Sequence, residues 1–116
     1  MIAHVVLFRP RASLTAAERA RLADVFTSAL REIPSIRRSR IGERVMHGRP
    51  YEALMTTHYS HAAILEFDDV AGLRAYLEHP AHEALGRLFF EAFEEALMYD
   101  FELKEGEDGL LALLAT

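Results

Sequence analysis

The opening segment Ile2-Ala3-His4-Val5-Val6-Leu7-Phe8 constrains the fold more than any other part of the chain. It is short, β-branched and apolar, and reads as a strand. Side chains alternate across a strand, so Ala3, Val5 and Leu7 share one face while Ile2, His4, Val6 and Phe8 share the other. Both faces are largely apolar, and a strand of that kind must be covered on both sides. Helices packed on one face of a sheet leave the other face in water. His4, Val6 and Phe8, or their strand neighbours, are then expected on a face that a second copy covers.

The rest of the chain supplies the matching elements. Thr15 and Glu18 form a capping-box pattern, followed by Leu22, Val25, Phe26, Ala29, Leu30 and Ile33 at helical spacing up to Pro34. A second strand is predicted from about Ile36 to Val45, then a long connection over His47–His58, then a third strand over Tyr59–Phe67. Asp68 or Asp69 caps a short helix through Leu73, Tyr76 and Leu77 that Pro80 breaks. A further helix resumes near His82 and carries Leu85, Leu88, Phe89, Ala92 and Phe93. Ala96–Leu103 is the last predicted strand, and Lys104–Asp108 is polar and turn-like.

The order β-α-β-β-α-α-β predicts an α+β, ferredoxin-like domain: a four-stranded antiparallel sheet with helices on one face, pairing as a homodimeric α+β barrel around an internal pocket. The domain is expected over residues 1–103, with 104–116 as a C-terminal tail whose Leu110, Leu111, Leu113 and Leu114 reach toward the partner.

Composition narrows the function. Among 116 residues there is no cysteine, which excludes disulfides, thiol nucleophiles and Cys-based metal sites. A formal net charge of −5 argues against a general nucleic-acid surface. The residues from Met1 to Phe8 lack the pattern of a signal peptide, and no apolar run approaches the ~20 residues that span a bilayer. A cytoplasmic protein that binds neither membrane nor nucleic acid is expected. The arginines at 37, 38, 40, 44 and 49 read first as a solvated strand edge, and second as a means of steering phosphate or carboxylate.

Chemistry rests on His4, His61, His79 and His82, four of six histidines, with Tyr76 nearby. A histidine near its ordinary pKa moves protons at neutral pH, and a tyrosine hydroxyl orients it or holds a substrate oxygen. The plain alternative is that each histidine is a satisfied core or capping residue. His58 and His61 lie three apart in a strand and face opposite ways, a poor chelate. His79 and His82 chelate only if the helix break holds both rings on one side. No metal and no cofactor is expected, and no phosphate loop, nucleophile elbow or dinucleotide fingerprint is present.

His4-Val5-Val6-Leu7-Phe8, Tyr59-Ser60-His61, Glu66-Phe67, Tyr76-Leu77-Glu78-His79-Pro80-Ala81-His82 and Tyr99-Asp100-Phe101 resemble the stress-responsive dimeric α/β-barrel (Dabb) family over about Ile2–Leu103. The resemblance implies a ferredoxin-like homodimer. A few plant members are cofactor-free polyketide cyclases in which a pocket histidine takes a proton and a tyrosine supports an aldol closure. By position His82 matches that base and Tyr76 its tyrosine, with His4 and His61 at the other polar pocket positions and Phe26, Ala63, Phe93 and Met98 as apolar lining. The loop from Met46 to His58 is longer than in the plant pattern. Three functions follow: a small-molecule-binding dimer with cyclase-like acid/base catalysis, a noncatalytic stress-responsive dimer, and, by fold analogy, a cofactor-independent monooxygenase or haem-handling enzyme.

Overall fold

The computed structural model describes residues 1–115. Strand β1 (Ile2–Pro10) leads to helix α1 (Ala16–Glu32), edge strand β2 (Arg38–Glu43), a single turn α2 (Tyr51–Leu54) and strand β3 (His61–Phe67). Helices α3 (Val70–Glu78) and α4 (Pro80–Ala92), strand β4 (Phe93–Glu102) and helix α5 (Gly106–Leu114) complete the chain. The sheet order is β2-β3-β1-β4, with every neighbouring pair antiparallel. This is the ferredoxin-like arrangement.

Local chemistry sets the helix ends. At α1 the Thr15 hydroxyl accepts from the Glu18 backbone N–H while the Glu18 carboxylate accepts from the Thr15 N–H, each at 3.1 Å. Asp69, not Asp68, caps α3 by accepting from Gly72 N–H at 2.8 Å. His79 is the residue between α3 and α4, and its Nδ1 accepts from Ala81 N–H at 3.0 Å. That use of His79 lets α4 begin at Pro80, where the missing N–H costs nothing, two residues before the predicted start at His82.

Three boundaries differ from expectation. Phe93 ends α4 and opens β4, because the β1 pairing extends down to Pro10 and Phe93 after a register shift at Arg9/Pro10. Strands β2 and β3 are shorter than predicted, at Arg38–Glu43 and His61–Phe67. The expected turn over Lys104–Asp108 gives way from residue 106 to helix α5, which runs on through the tail to Leu114.

The register settles which face is which. His4 lies opposite Leu65 and Asp100, Val6 opposite Ala63 and Met98, and Phe8 opposite His61 and Ala96. Ile2, Ala29, Ile33, Leu65, Phe67, Leu73, Tyr76 and Leu85 form one buried cluster. Val6, Phe8, Leu14, Ala63, Phe89, Ala92 and Phe93 form a second beside it. Thus Ile2, His4, Val6 and Phe8 look toward the helices. The uncovered face carries their neighbours Val5 and Leu7, joined by Ala62, Ile64, Leu97, Tyr99 and Phe101. Tyr99 is 57% exposed and Phe101 52%.

The radius of gyration is 16.1 Å, against about 13 Å for a compact chain of this length. Helix α5, with Leu110, Leu111, Leu113 and Leu114 exposed, and the segment around α2, with Leu54 and Met55 exposed, hold apolar side chains out in solvent.

Candidate functional site

A cavity of about 250 Å³ lies between the sheet and the helices. This cavity lies on the helix side of the sheet, the face opposite the one expected to meet a second copy. The cause is the alternation in β1: His4, Val6 and Phe8 project to the helix side and floor the cavity. Ala63 and Leu65 of β3, Met98 of β4 and Ile41 of β2 extend that floor. Phe26, Ala29 and Leu30 of α1 form one wall. His82, Leu85, Gly86, Phe89 and Phe90 of α4 form the other, and Tyr76 of α3 closes one end.

The polar groups gather at that end. The Tyr76 ring meets the His82 ring edge-on, with centroids 4.6 Å apart, and lies 5.5 Å from the His4 ring. It also leans on Phe67, 5.2 Å away, the most buried large side chain. His4 Nδ1 stands 2.6 Å from Asp100 Oδ1. Asp100 is set opposite His4 by the β1–β4 register.

Burial divides the roles of the two titrating groups. Desolvation, reinforced by the Asp100 charge, pushes the Tyr76 hydroxyl up to about 12. It stays a proton donor at any physiological pH. Desolvation, with a contribution from His4, moves His82 below its ordinary value, partly opposed by a hydrogen bond to the Leu77 backbone. His82 is therefore neutral near pH 7 and keeps a ring nitrogen able to accept a proton. Two groups pushed apart in this way meet the electrostatic requirement of an acid/base pair.

The lowered His82 pKa has a stability consequence. Below the unfolded-state value of about 6.5 the unfolded chain binds a proton that folded His82 does not yet take. Its contribution is thus complete above pH 6.5 and is lost as pH falls toward the depressed folded value. The melting temperature is expected to drop between pH 7.5 and pH 5 more in the parent protein than in His82→Gln. Parallel curves for the two proteins, measured by calorimetry, would contradict the assignment.

Of the residues singled out in the sequence, the structure brings His4, Phe26, Ala63, Tyr76, His82 and Met98 to one cavity. His61 and Phe93 stand outside it. His61 stacks on Phe8 at 5.4 Å and its Nδ1 pairs with Ser60 Oγ at 2.8 Å. Phe93 is a buried core ring, 4.7 Å from Phe8 and 4.3 Å from Phe89. Both line an adjoining groove instead. Asp100 and Gly86 were not singled out. Asp100 shares a face with Met98 in the last strand, so alternation alone would have found it. Gly86 needed the tertiary structure.

Two of the five clustered arginines, Arg37 and Arg40, pair with carboxylates at the sheet edge, while Arg44 meets a histidine ring. Arg37 pairs with Asp68 at 2.8 Å, Arg40 with Glu66 at 3.1 Å, and Arg44 with His58 Nδ1 at 2.7 Å. Among the described residues no helix is long and apolar enough to cross a membrane.

Comparison with solved structures agrees with this architecture. A protein of Arabidopsis thaliana superposes with a TM-score of 0.74 at 17% identity, over 92% of this chain and 99% of its own. A hydroxynitrile lyase from Passiflora edulis gives 0.74 at 17% identity, over 90% and 94%. A Dabb family protein with a ferredoxin-like fold from Mesorhizobium loti gives 0.70 at 21% identity, over 90% and 97%. Other similar structures, from Thermobifida fusca and Bacteroides fragilis, are described as dimeric ferredoxin-like proteins. No curated protein sequence matches the chain. Residues 2–103, from β1 through β4, match the stress responsive A/B barrel domain, and the chain accordingly belongs to that family, Dabb.

Proposed function

We propose that this protein is a homodimer whose protomers each bind a small apolar, carbonyl-bearing molecule and catalyse cofactor-free acid/base chemistry on it. The observation that carries the reading is the edge-on contact of Tyr76 and His82 at the polar end of an otherwise apolar cavity. A cavity near 250 Å³ suits a substituted aromatic ring or a short folded polyketide. Neutral His82 takes a proton from a carbon beside a carbonyl, and the Tyr76 hydroxyl donates a hydrogen bond to the enolate oxygen. The enolate carbon then attacks a second carbonyl of the same molecule. A carbon–carbon bond forms, and the new alkoxide recovers the proton from His82. Lyase chemistry is carried by a similar fold in the Passiflora enzyme.

The dimer reading rests on the apolar open face of the sheet, and α5 of each copy is assigned to the partner. Cytoplasmic residence fits the absence of cysteine.

Ligand and catalysis are tested separately. Gly86 lines the cavity and nothing lies within 4 Å of a Cβ built on it, so the backbone there accepts a side chain, and Gly86→Phe is expected to occupy the cavity. Para-propylphenol is expected to shift the NMR signals of Met98 and Leu85 in the parent protein and not in Gly86→Phe. Benzoylacetone is expected to exchange its activated hydrogens faster with the protein than in buffer, and His82→Gln to slow this about 100-fold. Exchange at the buffer rate with phenol binding intact would leave a noncatalytic binding protein.

A further inference from the structure

The groove next to the cavity has a composition of its own. It measures about 690 Å³ and shares Phe8, Phe26, Leu30 and Ile41 with the cavity, so the two spaces adjoin across these side chains. Its far wall comes from the β1–α1 connection and the first turns of α1. There Leu14 and Leu22 are accompanied by two cations, Arg11 and Arg19. Both arginines are exposed, and among the described residues neither has a carboxylate at ion-pair distance, a state shared by Arg21, Arg31, Arg38, Arg44, Arg49 and Arg74; what sets Arg11 and Arg19 apart is that both line this one apolar groove. In a chain with five net negative charges, two unneutralised guanidinium groups on one apolar groove form a local positive site. His61 adds a ring whose Nδ1 is committed to Ser60 and whose Nε2 is left for a ligand.

We propose that this groove is a subsite for the anionic head, carboxylate or phosphate, of the molecule whose apolar body occupies the cavity. The inference rests on the reading of the cavity as a ligand site. The occupant is an amphiphile with three zones. Its head lies between the Arg11 and Arg19 guanidinium groups, which donate charge-assisted hydrogen bonds to anionic oxygens. Its middle passes Phe26 and Phe8. Its carbonyl-bearing end reaches Tyr76 and His82. The charge complementarity is specific: a neutral alcohol of equal length gains the apolar contacts and not the head contacts.

Titrations with octanoate, octyl phosphate and octanol, followed by calorimetry and by NMR at Leu14 and Leu22, test this. At least one of the two anions is expected to bind roughly tenfold more tightly than octanol, with the margin shrinking in salt. Arg11→Ala combined with Arg19→Ala should remove that margin and leave octanol binding unchanged. Both side chains are exposed, so the double variant keeps its core. Arg19→Glu alone should weaken the anion further than Arg19→Ala. If octanol matches both anions, or the double variant binds them as the parent does, the subsite does not exist. Para-propylphenol binding in the same samples reports on the cavity independently, so loss of the subsite and loss of the cavity are told apart.

Discussion

Phe67→Ala is expected to destabilise the protein by about 3–5 kcal/mol, the range for emptying a large aromatic site in a core. Phe67 has 0% of its surface exposed and sits where β3, α1, α3 and the end of β1 converge, among Ile2, Ala29, Ile33 and Leu73. These neighbours belong to separate elements that the sheet and helix connections hold in place, so they cannot collapse fully into the space. Against a typical domain stability of about 5–15 kcal/mol, such a loss brings the fold close to failure. Urea denaturation measures it, and a loss below about 1 kcal/mol would show that the site relaxes or is not packed as described. Phe67→Leu separates packing from function. It retains most of the volume, yet it removes the ring against which Tyr76 rests at 5.2 Å. Tyr76 in turn fixes the edge of His82. The leucine variant should therefore stay folded while its benzoylacetone exchange falls.

Charging the open sheet face is expected to convert a dimer into a monomer. Tyr99 and Phe101 stand side by side on edge strand β4, with ring centroids 6.2 Å apart and more than half of each in solvent. Aromatic anchors near the middle of an interface commonly contribute 2 kcal/mol or more apiece. Replacing both with lysine should raise the dimer dissociation constant by a factor on the order of 1,000, which sedimentation equilibrium resolves directly. A monomeric parent protein, or a variant that stays dimeric, would remove this face as the interface. The size of the face points to additional contacts. Four strands about 4.8 Å apart and about 26 Å long span roughly 500 Å² of flat area. A stable interface needs about 800 Å² from each partner. Exposed leucines on α5 and the apolar side chains around α2 are the surfaces placed to make up the difference. Helix α5 lies beyond residue 103, where the family match ends.

Much of the architecture was written locally. A capping box, a proline after each of two helical stripes and strict alternation in Ile2–Phe8 are short-range patterns, and they produce α1, the α3–α4 break and β1 at the expected places. At Phe93 the sequence misled for a non-local reason. Phe93 continues a helical stripe, yet pairing with Pro10 draws it into β4. A glycine-bearing polar segment reads as a turn, yet residues 106–114 coil into α5, with Gly109 so close to Lys104 that a Cβ there would lie 2.8 Å from the lysine Cβ.

The sequence by itself determined that β1 is apolar on both faces, that no thiol chemistry exists, and that His4, Tyr76 and His82 are available. It could not say which face of β1 the helices take, because alternation groups residues without assigning either group a direction. Only the tertiary structure decided that His4, Val6 and Phe8 turn toward α1 and α4. The same choice placed the cavity between sheet and helices and left His61 and Phe93 in the neighbouring groove. The physical reason is register: once β1 pairs with β3 and β4, every side chain on the three strands is committed to a face together, so that Phe8 and Phe67 are buried under the helices while Tyr99 and Phe101 are carried to the open face.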